Sequence, residues 1–174
     1  PTIDGIEDPG VWDFAVKYKL AYNHLDRKDQ SSPKNNNDCY AEWKAIFYEN
    51  TVFLYITRID DITVTNNGDP AENDNVEISI KTEDTVNILR TIVGKDIDAG
   101  SYKGNAKAAW NKEGTILEVA IELPVDDLAG ATIPWNLSIS DNDMENGKRK
   151  YQLYPLHKAN ASKEINLCEL SFEK

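Results

Sequence analysis

Apolar residues recur at every second position along this chain and nowhere hold helical spacing over a useful length. Phe14, Val16, Tyr18, Leu20 and Tyr22 fall two apart, as on one face of a strand. Trp43, Ala45 and Phe47 repeat the pattern, and after a Glu49-Asn50-Thr51 turn so do Phe53, Tyr55, Thr57 and Ile59. Val76, Ile78 and Ile80 follow, then Val86, Ile88 and Ile92, then Ala106, Ala108 and Trp110. Leu117, Val119, Ile121 and Leu123 make the next set, and Ile133, Trp135, Leu137 and Ile139 another. A last strand is expected near Asn166 to Phe172, with Cys168, Leu170 and Phe172 on one face. Gly, Pro, Asn and Asp, which tolerate turn dihedrals, fill the breaks. The nearest approach to a helix is Pro124 to Leu128, a proline-started turn with acidic residues where a helix start would favour them. Short strands without crossover helices close as an antiparallel β-sandwich of about nine to eleven strands, an all-β fold.

At 174 residues the expectation is a single domain spanning 1–174, long enough to bury about 70% of its unfolded surface without staples. Gln30 to Asp38 reads as a solvated loop between strands. Nineteen Lys and Arg against 30 Asp and Glu leave a net charge of −11, which speaks against nucleic acid or an anionic membrane as partner. No apolar run approaches the ~20 residues needed to span a bilayer. No charged-then-apolar leader opens the chain, so Pro1 reads as a processed or excised N-terminus. Cys39 and Cys168 are too few for a zinc site. They form either one bridge, which needs an oxidising compartment, or two separate core residues.

Catalytic motifs are thin. There is no nucleophile elbow, paired-histidine zinc motif, P-loop or dinucleotide fingerprint. His24 and His157 read as surface residues. A two-carboxylate glycosidase site has numbers in its favour but no motif. Acids that cluster with turn residues suit calcium, which takes six to eight oxygens from carboxylates and loop carbonyls. The candidate segments are Asp4 to Asp8, the Asp60-Asp61 pair, and Asp69 to Asp74. Asp141 to Gly147 begins like a calcium loop but has Gln152 where a bidentate Glu belongs, and reads as a polar hairpin loop. The structural-calcium candidates are therefore Asp4, Asp60, Asp61 and Asp74.

Several segments, in order, resemble the carbohydrate-binding modules of family 9. They are Thr2-Ile3-Asp4-Gly5 with Asp8 and Trp12, then Trp43 to Tyr48 running through Phe53 to Ile56 to Asp60. Asn73 to Ile80, Leu117 to Pro124 and Trp135 to Asp143 continue the likeness, which extends from about Thr2 to Leu170. The resemblance implies a β-sandwich, commonly with bound calcium, attached to xylanases and related glycoside hydrolases. Such a module is non-catalytic and holds polysaccharide or oligosaccharide chains, here xylan or glucan. It would be secreted or at the cell surface (extracellular or periplasmic), monomeric, and joined to other domains of a larger enzyme.

In that family two tryptophans clamp the terminal sugar above a polar floor. Carried over by position, the floor is Glu77, Arg90 and Ser138. One clamp position is Ala71 and the other falls near His157-Lys158. Trp12, Trp43, Trp110 and Trp135 lie within apolar alternation and read as core. Tyr102, Tyr151 and Tyr154 are expected to be exposed, and one of them could supply a substitute stacking face. Glu77 and Arg90 read equally as a plain cross-strand ion pair. The alternative to sugar binding is a structural sandwich that has lost its site.

Overall fold

The computed structural model describes residues 1–23, 33, 35–126, 128–144, 147–155 and 167–172, without the side chains of 22, 23 and 168. The strands are β1 (Tyr18–Leu20), β2 (Tyr22–Asn23), β3 (Cys39–Tyr48), β4 (Thr51–Asp60), β5 (Asn75–Thr82) and β6 (Thr85–Ile92). They continue with β7 (Ile97–Asp98), β8 (Ala106–Trp110), β9 (Ile116–Glu122), β10 (Thr132–Asp141), β11 (Tyr151–Tyr154) and β12 (Cys168–Ser171). A five-stranded antiparallel sheet runs β1-β3-β4-β9-β8. A seven-stranded one runs β2-β11-β10-β5-β6-β7, with β12 beside the first half of β10. The fold is an antiparallel β-sandwich. Helical structure among the described residues is confined to one 3₁₀ turn, Pro70–Glu72, and no helix is long and apolar enough to cross a membrane. The proline-started Pro124 segment stays a bend.

Between the sheets Leu54, Ile56, Leu117, Val119 and Ile121 from one side meet Val76, Ile78, Leu89, Leu137 and Ile139 from the other. Each large aliphatic side chain so buried is worth roughly 1.5–3 kcal/mol. Trp43 and Trp135 pack edge to face across the core, with ring centroids 5.0 Å apart. Trp12 is also wholly buried.

The structure reverses two of the expected inward faces. On β4 the core residues are Val52, Leu54 and Ile56, not Phe53, Tyr55 and Thr57. Both sets are apolar enough to be ambiguous because the N-terminal segment covers the outer face of this sheet. Trp12 packs on Tyr55 there, with centroids 5.4 Å apart. On β6 Asn87, Leu89 and Thr91 turn inward, leaving Val86 and Ile88 each 38% exposed on the outer face. The expected long strand from Phe14 to Tyr22 is also corrected. Phe14 is 94% exposed and precedes β1, while β1 and β2 belong to different sheets, joined at Ala21. Cys39 is a buried free thiol, which fits the reading of separate core residues at that position.

The N-terminal segment is anchored by Glu118 on β9. Its Oε2 accepts from the amides of Asp4 at 3.2 Å and Gly5 at 3.1 Å. Gly5 has φ +80°, and a Cβ there would lie 2.5 Å from the Asn111 amide nitrogen, so this turn requires glycine.

Candidate functional site

The hairpin joining β5 to β6 turns on two residues, Glu83 and Asp84, and this fixes the register that sets Glu77 opposite Arg90. Glu77 is also opposite Ser138 on β10, and Ser138 shares its level with Tyr154 on β11. Arg90, Glu77, Ser138 and Tyr154 thus form one row across four strands, on the face turned away from the core. Arg90 Nε donates to Glu77 Oε1 at 2.8 Å, and its Nη2 lies 2.7 Å from the same oxygen. Gln152 Nε2 approaches both Glu77 Oε2 and Ser138 Oγ at 3.2 Å. Arg90 and Glu77 keep side-chain exposures of 25% and 13%, whereas Ser138 and Gln152 are buried. Burial raises the pKa of the Tyr154 hydroxyl and the Glu77 charge adds to the rise, while Ser138 and the Arg149 charge oppose it. The exposed Ile88 and Val86 continue the outer face beyond Arg90 on β6.

Of the aromatic candidates, Tyr154 alone joins this row among the described residues. Tyr102 is not exposed: it packs into the core and donates its hydroxyl to the Glu122 carbonyl at 2.6 Å. Gly104 makes room for that ring, since a Cβ there would lie 2.7 Å from Tyr102 Cε1. Tyr151 is buried as well, because the alternation of β11 turns Tyr151 and Leu153 inward and Gln152 and Tyr154 outward. Ala71 lies in the 3₁₀ turn before β5 and offers no aromatic face. His24, His157 and Lys158 lie outside the described residues.

At the end of the sandwich three strand termini bring carboxylates together. Asp60 closes β4, Asp74 immediately precedes β5 and Asp141 closes β10, and one oxygen from each lies within 4.8 Å of the others. Asp74 and Asp141 are buried, and the Asp60 side chain is only 4% exposed. Asp60 Oδ1 and both Asp141 oxygens have no hydrogen-bond partner. Among the described residues one cation faces this group: Arg58 pairs with Asp60 and lies 3.4 Å from Asp74 Oδ2. Asp74 is further tied by the amides of Asn142 at 2.7 Å and Val64 at 3.0 Å. Burial raises the pKa of Asp74 and of Asp141, with the neighbouring carboxylates adding to the rise. Unpartnered, buried carboxylate oxygens converging from three strands fit a hard divalent cation.

The adjacent residues Asp38, Asp61 and Asp143 make a second group of three, but Lys150 supplies its cation, 2.8 Å from Asp38 and in contact with Asp143. Of the four acids singled out in the sequence, Asp60 and Asp74 meet, Asp61 joins this neighbouring group, and Asp4 belongs to neither. Asp4 Oδ1 instead accepts the Ile6 amide at 2.9 Å. Asp141 was missed. Its signal was the acidic Asp141-Asn142-Asp143 run, set aside because it does not complete a calcium loop.

Two solved structures superpose on nearly the whole chain. A carbohydrate-binding module of family 9 from Caldicellulosiruptor kristjanssonii, in complex with cellotriose, aligns with a TM-score of 0.77 and 16% identity. It covers 99% of this chain and 89% of its own. The fold is that of a family 9 module. A second such structure from the same organism, in complex with glucose, matches at TM-score 0.77 and 14% identity, covering 99% and 91% of the two chains. No family model matches the chain, and no curated protein matches it in sequence. The chain shares this architecture with little sequence likeness, because core volume and strand alternation constrain a fold more than individual residue identities do.

Proposed function

We propose that this domain is a non-catalytic carbohydrate-binding module that holds a sugar on the outer face of the seven-stranded sheet. The observation that carries the reading is the row of Arg90, Glu77, Ser138 and Tyr154, in a fold whose neighbours were solved with cellotriose and glucose bound. Sugar hydroxyls need oriented donors and acceptors, which the carboxylate, guanidinium and hydroxyl supply. The ring's apolar face needs a flat or apolar surface, which Tyr154 and Ile88 offer. The module would serve a secreted polysaccharide-degrading enzyme acting on xylan or glucan, outside the cell or in the periplasm, as a monomer. Calcium held by Asp60, Asp74 and Asp141 would supply the positive charge that Arg58 alone does not, pinning the strand ends beneath the 3₁₀ turn. The buried carboxylates Asp74 and Asp141 offer no face to a substrate, which weighs against a glycosidase.

Titration calorimetry with cello- and xylo-oligosaccharides tests the reading. Binding that Glu77→Gln and Arg90→Met abolish is expected, and no heat with any of these sugars would contradict it. A second reading, a structural sandwich without a ligand, draws support from the way Arg90 and Gln152 already satisfy Glu77, and from Ala71 at a clamp position. Under that reading the same variants lose stability but there is no sugar affinity to lose.

A further inference from the structure

The chain has four arginines: Arg27, Arg58, Arg90 and Arg149. Arg27 lies outside the described residues. Arg58 pairs with Asp60 and Asp74, and Arg90 with Glu77. Arg149 is different. Its guanidinium reaches Ser140 Oγ at 3.5 Å, and no carboxylate among the described residues lies within ion-pair distance of it. The nearby Glu72 carboxylate is turned to the Arg149 backbone amide at 2.5 Å instead. Arg149 is half-buried and precedes β11, and its contact with Ser140, on the same face of β10 as Ser138, sets its guanidinium over the outer face of the row. Ser140, which it touches, is two residues along β10 from Ser138 and directly opposite Gln152.

A half-buried guanidinium without a carboxylate partner among the described residues, in a chain with 30 acidic residues, is a poor way to spend a cation unless something anionic meets it. A guanidinium presents a planar fork of donors matched to a carboxylate and gains little from a neutral hydroxyl by comparison. We infer that Arg149 is a specificity-determining residue and that the sugar held on this face carries a carboxylate, as in a uronic acid residue. This rests on the proposed sugar-binding reading. In this arrangement the Glu77–Arg90 pair orients the ring hydroxyls, while Arg149 receives the carboxylate at the β11 side. The excess negative charge of the chain repels an anionic sugar at long range. At physiological ionic strength that repulsion is screened beyond about 8 Å, and the local fork decides.

The test is titration calorimetry on the whole chain with two matched pairs, glucose against glucuronate and cellobiose against cellobiouronic acid, at fixed ionic strength. Each pair differs in one C6 group. The uronate form is expected to bind about tenfold more tightly, the scale of one charge-assisted pair. Arg149→Gln is expected to remove that preference while leaving the affinity for the neutral sugar within about twofold. Arg149→Lys is expected to restore only part of it, because the fork is lost. Equal or weaker binding of the uronates by the wild-type chain would overturn the inference and leave the sugar-binding reading intact. So would a preference that survives Arg149→Gln. Failure of all four sugars to bind would instead remove the sugar-binding reading, and the inference with it.

Discussion

On the outer face of the seven-stranded sheet Glu77 is matched by Arg90, whereas at the end of the sandwich, where strands of both sheets meet, Asp60, Asp74 and Asp141 face the guanidinium of Arg58. Asp74, just before β5, is three residues from Glu77, and Asp141 is three from Ser138 on β10, yet the two groups solve different problems. The Glu77–Arg90 pair is partly exposed and charge-neutral within itself. The carboxylate cluster is sealed from water and keeps three oxygens unpartnered, which is costly without a further cation. Nearby, Lys150 gives the Asp38, Asp61 and Asp143 group the internal cation that the deeper cluster has only in part. Similar acid counts therefore carry different consequences. Burial and the nearest cation separate the group proposed to hold a sugar from the group proposed to hold an ion.

Removing Arg58 should separate the two groups most sharply. Arg58→Met is expected to cost about 3–5 kcal/mol in chemical denaturation, because it leaves buried carboxylates unpaired. Added calcium should recover part of that loss, and sugar affinity of the folded fraction should be nearly unchanged. A loss below about 1 kcal/mol would show that the cluster does not carry the charge assigned to it.

Saturating calcium is expected to stabilise the wild-type chain by about 2.7 kcal/mol at a hundredfold excess over its dissociation constant, raising the melting temperature by about 5–10 °C over chelator. Asp141→Asn should abolish most of this rise. The pH dependence follows from the same cluster. In the metal-free fold burial and the neighbouring carboxylates raise the pKa of Asp74 and of Asp141 above the ordinary carboxylate value of 3.8, so the folded state retains protons to a higher pH than the unfolded chain. The folded state then binds more protons, so their contribution to stability falls as pH rises from that value through the neutral range. Calcium displaces those protons, so thermal melts at several pH values should lose this fall once calcium is present.

Glu77→Gln should act on the other group alone. An expected loss of roughly ten- to a hundredfold in sugar affinity corresponds to one or two charge-assisted hydrogen bonds, with little change in the calcium response. Tyr102→Phe sets the lower end of the scale. It removes one hydrogen bond to the Glu122 carbonyl, worth about 1 kcal/mol, and should leave sugar affinity untouched.

How far the sequence reached follows the same division. The strands of the sandwich were legible because one inner face imposes a period of two, and Val76, Ile78 and Ile80 or Leu117, Val119 and Ile121 announce it. The Glu77–Arg90 pairing was legible too, since a two-residue turn fixes the register by counting. Inward and outward were not legible on β4, where the N-terminal segment makes both faces apolar. Nor were they on β6, where Asn87 and Thr91 face inward beneath exposed Val86 and Ile88. Tyr102 was misjudged because its flanking glycines signal a loop, while the space beside Gly104 takes its ring into the core. Asp141 joins Asp60 and Asp74 only after three strand ends meet, a convergence that local spacing does not encode.

The central claim is that the Arg90, Glu77, Ser138 and Tyr154 row binds sugar, and calorimetric titration of the wild-type chain and Glu77→Gln with cellotriose tests it most directly. Saturable binding by the wild type, lost in a folded Glu77→Gln variant, is the expected result. No binding by the wild type with calcium present, or equal binding by both proteins, would contradict it.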